Sequence, residues 1–269
     1  MTTTALAPAI EAPARGAQVS QTARAARYAL GSTLTLIRNV MFLFFTVAMP
    51  VIMFLLFNSL FGAEQFGDTS VGMLIMVRMA TYGGLGAAMN AGAVIQTERA
   101  NGWLRQLMVA GLQPRAFVIG KLVAAQVVVL PALIGVFLAG WLLTDIEMDL
   151  ASSLAALGVL WIGMLPMVLL GLAVGLALKQ SAVGPVVTIG MMLLSIAGGL
   201  MFPYEMFPTW LQNVAEVLPS YWIAEFGAWA VTGGDLPVQG LLVLAIWTLV
   251  LGAGSALLLR FAARSSSRR

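Results

Sequence analysis

The stretch VMFLFFTVAMPVIMFLLFNSLF, residues 40–61, decides the architecture. No charged residue interrupts it, and a helix needs only about 20 mainly apolar residues to cross a hydrocarbon core of about 30 Å. The run begins too late and is too long for the apolar region of a signal peptide, so it reads as a retained span. Comparable runs lie at about 72–95, 117–143, 153–178, 183–201 and 238–260. They are continuous rather than alternating, and backbone groups in lipid must be satisfied within the segment, so helices are expected rather than a barrel. The whole chain agrees: 60% of its 269 residues are hydrophobic, only 9% are charged, and the mean hydropathy is +0.95. A soluble domain carries about a quarter charged residues. The expected fold is therefore an all-α polytopic membrane protein with six transmembrane helices.

The few charges test this map. Every Lys and Arg except Arg78 falls in or beside four segments: Arg15 to Arg38, Arg99 to Lys121, Lys179, and the tail Arg260 to Arg269. Six crossings put all four on one side. The other side receives Glu64, Asp68, Asp145, Glu147, Asp149, Glu205, Glu216, Glu225 and Asp235, with no base. The positive-inside rule then predicts that both termini are cytoplasmic. The expected organisation is a flexible N-terminus at 1–22, an interfacial helix at 23–38, a transmembrane domain at 39–261 and a cytoplasmic tail at 262–269.

Composition also excludes chemistry. The chain has no His and no Cys, which removes the usual zinc sites, His-held haem, Ser-His-Asp and Cys-His catalysis, and disulfides. The net charge of +3 belongs to the membrane-orienting bases rather than to nucleic-acid binding. A Walker phosphate loop is absent: Gly120-Lys121 is followed by Leu122, and Arg115 stands where the first Gly belongs. The spans hold no acid for a proton relay, so the energy for any transport is expected from elsewhere.

Five features need a reading beyond plain spans. In 23–38, Tyr28, Leu30, Leu34 and Ile37 interleave with Arg24, Arg27 and Arg38, which suits either a helix in the interface or an anchoring stop. In 97–110, Trp103, Leu104, Leu107 and Met108 recur at helical spacing. A single short amphipathic helix is expected there, N-capped by Thr97 and ended by Gly111 and Pro114, its stripe covered by lipid or by protein. In 202–225, Pro203, Pro208 and Pro219 punctuate an aromatic-rich loop holding Glu205, Trp210 and Tyr221, which reads as outer re-entrant helices or as an aromatic belt. Arg78, in the outer half of the second span, either snorkels or pairs with Glu205 or Glu225. Pro50, Pro131, Pro166 and Pro185 inside spans are either hinges or tolerated packing.

Two stretches resemble the membrane subunit of type-2 ABC transporters, the bacterial permeases for drugs, polysaccharides and lipids, including the daunorubicin-resistance kind. The first is Glu98-Arg99-Ala100-Asn101-Gly102-Trp103-Leu104-Arg105-Gln106-Leu107, with Pro114 and Gly120-Lys121 beyond it. The second is Phe202-Pro203 through Pro208, Trp210-Leu211-Gln212 and Leu218-Pro219-Ser220-Tyr221-Trp222. The resemblance implies an N-terminal connecting helix, a coupling helix at 97–110 and re-entrant helices before the last span. It also implies that Glu98, Arg99, Gly102, Trp103, Leu104 and Leu107 dock on a separate nucleotide-binding ATPase subunit, and that Pro203, Glu205, Pro208, Trp210, Pro219 and Tyr221 form an outer gate or re-entrant region. A second permease copy or a homologous permease completes a 2+2 assembly in the bacterial cytoplasmic membrane. No cofactor is bound by this chain, ATP-Mg being held by the ATPase.

The expected function is the permease subunit of an ATP-driven exporter, not itself an enzyme, that moves a hydrophobic or amphipathic cargo suited to Met-, Phe- and Leu-rich walls. The alternative is a non-transporting membrane anchor or regulator of an ATPase complex. A channel is disfavoured, because no span offers a polar ring beyond Arg78 and Asn90.

Overall fold

A computed structural model describes residues 20–66 and 69–266. The first helix, α1 (Gln21–Ile37), is N-capped by Ser20, whose hydroxyl accepts the Ala23 amide. The first span is α2 (Val40–Phe61), which starts where the Asn39 side chain accepts the Phe42 amide at 3.1 Å. A two-residue antiparallel ladder, β1 (Gln65–Phe66) with β2 (Thr69–Ser70), then turns the chain into α3 (Val71–Ala93). The remaining helices are α4 (Ile95–Ala100), α5 (Trp103–Val109), α6 (Pro114–Leu143), α7 (Leu150–Gly163), α8 (Leu165–Ala177), α9 (Gln180–Ala197), α10 (Thr209–Ala215), α11 (Pro219–Thr232) and α12 (Val238–Ser266). A single 3-10 turn, Tyr204–Met206, precedes α10.

Six helical stretches are long and apolar enough to span: α2, α3 with α4, α6, α7 with α8, α9 and α12. They coincide with the six apolar runs, and the fold is all-α apart from the small ladder. The N-terminal boundary differs from expectation, since α1 already includes residues 21 and 22; residues 1–19 lie outside the described part. The tail boundary at 262 is likewise no break, because α12 continues to Ser266.

The second span is the centre of the bundle. Small residues dominate α3, which lets neighbouring backbones come close. A Cβ on Gly171 of α8 would stand 2.2 Å from the Met89 carbonyl oxygen, and one on Gly92 would stand 2.5 Å from that of Val168. The two helices therefore touch along their main chains. Around this pair the core is filled by Phe54, Met76, Leu85, Leu133, Phe137, Leu160, Met164 and Met167. By contrast, α2, α9 and α12 bury only a small share of their length, as suits contact with lipid or a second protein.

Of the four prolines read as candidate hinges, only Pro166 coincides with a break. Pro50, Pro131 and Pro185 lie inside continuous helices. Pro166 occupies the first turn of α8 and has no N–H to give the Ile162 carbonyl, so the fourth span divides at Met164. Next to this break, the Trp161 indole N–H donates to the Gln126 carbonyl of α6 at 2.7 Å, and the Gln126 amide donates back to the Trp161 carbonyl. The Trp161 carbonyl beside the break is thereby met from α6.

Candidate coupling and translocation sites

On the basic side, α3 runs into α4 and then breaks, because Gly102 adopts φ +70°. The single helix expected over 97–110 is thus two helices, and Thr97 lies inside α4 rather than at an N-cap. At the far end of α5, Gly111 turns with φ +84°, and Pro114 starts α6, where its missing N–H costs nothing.

Two charged residues of this loop, Glu98 and Arg99, point inward. Glu98 accepts the Tyr28 hydroxyl of α1 and the Lys121 ammonium of α6, each at 2.8 Å. Lys121 is only 1% exposed and also donates to the Ser32 hydroxyl at 3.3 Å. Burial, and then the neighbouring Glu98 charge, push the Tyr28 phenol well above its ordinary value. Arg99 donates to the last-turn carbonyls of α8, Leu176 at 2.5 Å and Gly175 at 3.2 Å, and to the Gln96 side chain. These carbonyls lack helical partners, and a cation at a helix C-terminus is favourable. From α1, Arg24 donates to the Ala110 carbonyl and Gln21 to that of Gly111, both at 2.9 Å.

The loop is therefore fastened to α1, α6 and α8. Glu98 and Arg99 are the fasteners, and half-buried Leu107 packs onto the cluster of Ile95, Leu112, Phe117 and Leu172. Trp103 is 48% exposed; the side chain of Leu104 lies outside the described part. Between α1 and α5 runs a groove of about 840 Å³ lined by Arg27, Tyr28, Leu36, Trp103, Gln106 and Lys121, among others. The partners Tyr28 and Lys121 were missed as site residues, since nothing local in the sequence says that α1 lies on α6.

On the acidic side, the expected outer helices resolve into the 3-10 turn, α10 and a longer α11. Pro203 and Pro208 precede the turn and α10, and Pro219 opens α11. The loop is stitched by hydrogen bonds from Ser220 to the Leu194 carbonyl at 2.8 Å, Trp222 to that of Glu216 at 2.7 Å and Trp247 to that of Val217 at 2.9 Å. The Tyr204 hydroxyl donates to Glu216 at 2.7 Å, which raises that phenol to about 12. Tyr221 stacks on Tyr204 with centroids 4.9 Å apart, while Trp210 is exposed. Arg78 reaches Glu205 at 4.0 Å. Burial raises the carboxyl of Glu225 on α11, with Arg78 opposing and Glu205 adding.

A second cleft, about 390 Å³, opens between α2, α3 and α9 and is lined by Phe42, Phe45, Met49, Tyr82, Asn90 and Met191, among others. From Met76 to Ala93, every residue of α3 is buried except Arg78, Tyr82 and Asn90. Arg78 and Tyr82, four residues apart, share a helix face, and Asn90 lies about 80° further round the helix.

A multi-pass helical bundle with a fastened basic loop and a cleft beside its central span defines a membrane transport protein. The model of the family described as "ABC-2 type transporter" matches residues 29–231. The Bacillus subtilis (strain 168) protein named "Putative transport permease YvfS" is 24% identical over 218 residues, covering 80% of this chain and 88% of that protein. The chain belongs to the ABC-2 type transporter family and is a membrane permease of an ABC transporter.

Proposed function

We propose that this permease is the membrane half of an exporter whose energy comes from a separate nucleotide-binding ATPase seated on α4 and α5. Its basic side faces the cytoplasm of a bacterium, and a second permease completes a two-plus-two assembly within the cytoplasmic membrane. The observation that carries this reading is the contrast within one loop: α4 and α5 are fastened to three other elements, yet Trp103 stays exposed beside a groove. An ATPase surface that buries Trp103 moves the loop as a unit. Glu98 passes that movement to α1 and α6, and Arg99 passes it to α8, whose backbone lies on α3. The helix α3 lines the second cleft, so displacement at the basic side reaches the wall of the cargo path. Coupling of this kind needs contacts that differ between the ATP-bound and ATP-free states. ATP and Mg2+ are held by the ATPase, and this chain contributes no catalytic group.

The cleft indicates the cargo class. Flexible Met and flat Phe side chains with a few hydroxyl and amide groups suit a hydrophobic or amphipathic molecule, taken from the cytoplasm or the inner leaflet. The test is the double variant Gly102→Pro, Trp103→Asp in the reconstituted complex, scored for ATPase association, stimulated hydrolysis and export. Loss of all three is expected. Survival of all three places docking elsewhere, and a wild-type complex that hydrolyses ATP but moves nothing identifies a regulator instead.

A further inference from the structure

Arg78 sits about 10 Å along the helix from the start of α3, counting 1.5 Å per residue. Its side chain is 19% exposed, and its nearest carboxylate oxygen, on Glu205, is 4.0 Å away. That distance is too long for a hydrogen bond, so the guanidinium fork donates none among the described residues. Glu205 itself is 56% exposed and sits on the three-residue 3-10 turn. A guanidinium with unfilled donors in a mostly covered site is costly unless an acceptor arrives.

The position of Arg78 says where that acceptor comes from. It stands one helical turn above Tyr82, the outermost residue of α3 that lines the cleft. Below it the cleft wall is mostly apolar, with a few uncharged polar side chains such as Thr46 and Asn90; no charged group lines it. A planar guanidinium above an apolar slot matches a molecule with a carboxylate or phosphate at one end and a hydrocarbon body at the other.

We propose that Arg78 reads the headgroup of the cargo: the cleft takes an amphiphile with an oxyanion head, which replaces Glu205 on the guanidinium while its tail lies against Phe42, Phe45, Met49 and Met191. This deepens the exporter reading and rests on the cleft being the cargo path. Glu205 then serves as an exchangeable counter-ion that holds Arg78 between cargoes.

The test uses the full chain in nanodiscs of zwitterionic lipid, titrated with dodecyl phosphate, dodecanoate, dodecanol and dodecyltrimethylammonium, which share one tail. Wild type is expected to bind the two anions about ten-fold more tightly than dodecanol, the weight of one good charge-assisted contact. Arg78→Gln is expected to erase that preference without changing dodecanol binding, Arg78→Lys to keep part of it, and Glu205→Gln to increase it. Equal binding of anion and alcohol by wild type, or an unchanged preference in Arg78→Gln, overturns the proposal while leaving the cargo path intact. If no amphiphile binds, or if Met191→Trp, which fills the cleft, does not weaken dodecanol, the cargo-path reading falls as well. If Arg78→Gln dissociates a permease dimer and abolishes dodecanol binding too, Arg78 belongs to a subunit interface and the proposal fails; Glu205→Gln, which keeps the arginine, still reports on headgroup exchange. Repeating the titration with phosphatidylglycerol in the disc assigns the source. Weaker dodecyl phosphate binding there, in wild type but not in Arg78→Gln, means the head belongs to a bilayer lipid, and unchanged binding means a separate cargo.

Discussion

Lys121 and Glu98 form a buried ion pair of 2.8 Å, the lysine 1% and the glutamate 17% exposed, that joins the foot of α6 to the loop after the second span. Removing one member of such a pair leaves the other charge stranded and costs about 3–5 kcal/mol, whereas removing both costs far less. Lys121→Met is therefore expected to lower the unfolding temperature sharply, and adding Glu98→Gln to recover more than half of the loss. Thermal unfolding of the four species in detergent checks this, and additive effects would show that the two residues do not depend on each other.

The contact of α3 with α8 leaves no room for a side chain at Gly171 or Gly92. Gly171→Leu and Gly92→Val should each cost about 3 kcal/mol or more, because the obstructing atoms are backbone. Gly184→Ala in α9 and Gly254→Ala in α12 are the controls: nothing lies within 4 Å of either added Cβ. They should be neutral, or stabilising by up to about 1 kcal/mol through helix propensity. Folded yield by size-exclusion chromatography separates the two groups.

Arg99 fills the carbonyls at the end of α8. Arg99→Met removes charged hydrogen bonds worth about 1.5–3 kcal/mol. The expected outcome is faster amide exchange in the last turn of α8 and across α4, with the acidic side unchanged. Hydrogen–deuterium exchange reads this out, and uniform exchange across the chain would contradict a local fastening role.

Burial raises the Glu225 carboxyl above the ordinary value of 4.5. A carboxyl raised on folding is harmless while it is protonated in both states, and it destabilises as pH climbs past the unfolded value toward and beyond the folded one. Glu225→Gln should therefore raise the melting temperature at pH 7 and do little at pH 4. A stabilisation that is the same at both pH values would sink this account.

The spans were legible because each rests on local information. A run such as 40–61 is apolar within itself, and the need to satisfy every backbone group inside lipid makes it a helix wherever its neighbours lie. The helix breaks were legible only in part. Gly111 and Pro114 act through their own backbone geometry, so the end of α5 was readable, but Gly102 also adopts a left-handed turn that divides the expected single helix in two. Leu107 shares its helical spacing with exposed Trp103, and periodicity alone does not say which member of a stripe is covered.

By itself the sequence determined a six-span helical membrane protein, the separation of its bases from its acids, and the family motif around Glu98. Only the tertiary structure decided what those motif residues do. Glu98 meets Tyr28 and Lys121, which are 70 and 23 residues away in the chain, and Arg99 meets a carbonyl 77 residues away. The same holds for Arg78, Tyr82 and Asn90, which stand out only because packing has covered every other residue of α3 between Met76 and Ala93. Hydropathy is a property of a segment and can be summed along the chain. Which buried charge finds which partner depends on how helices lie side by side, and that is set by close approaches such as Gly171 on Met89.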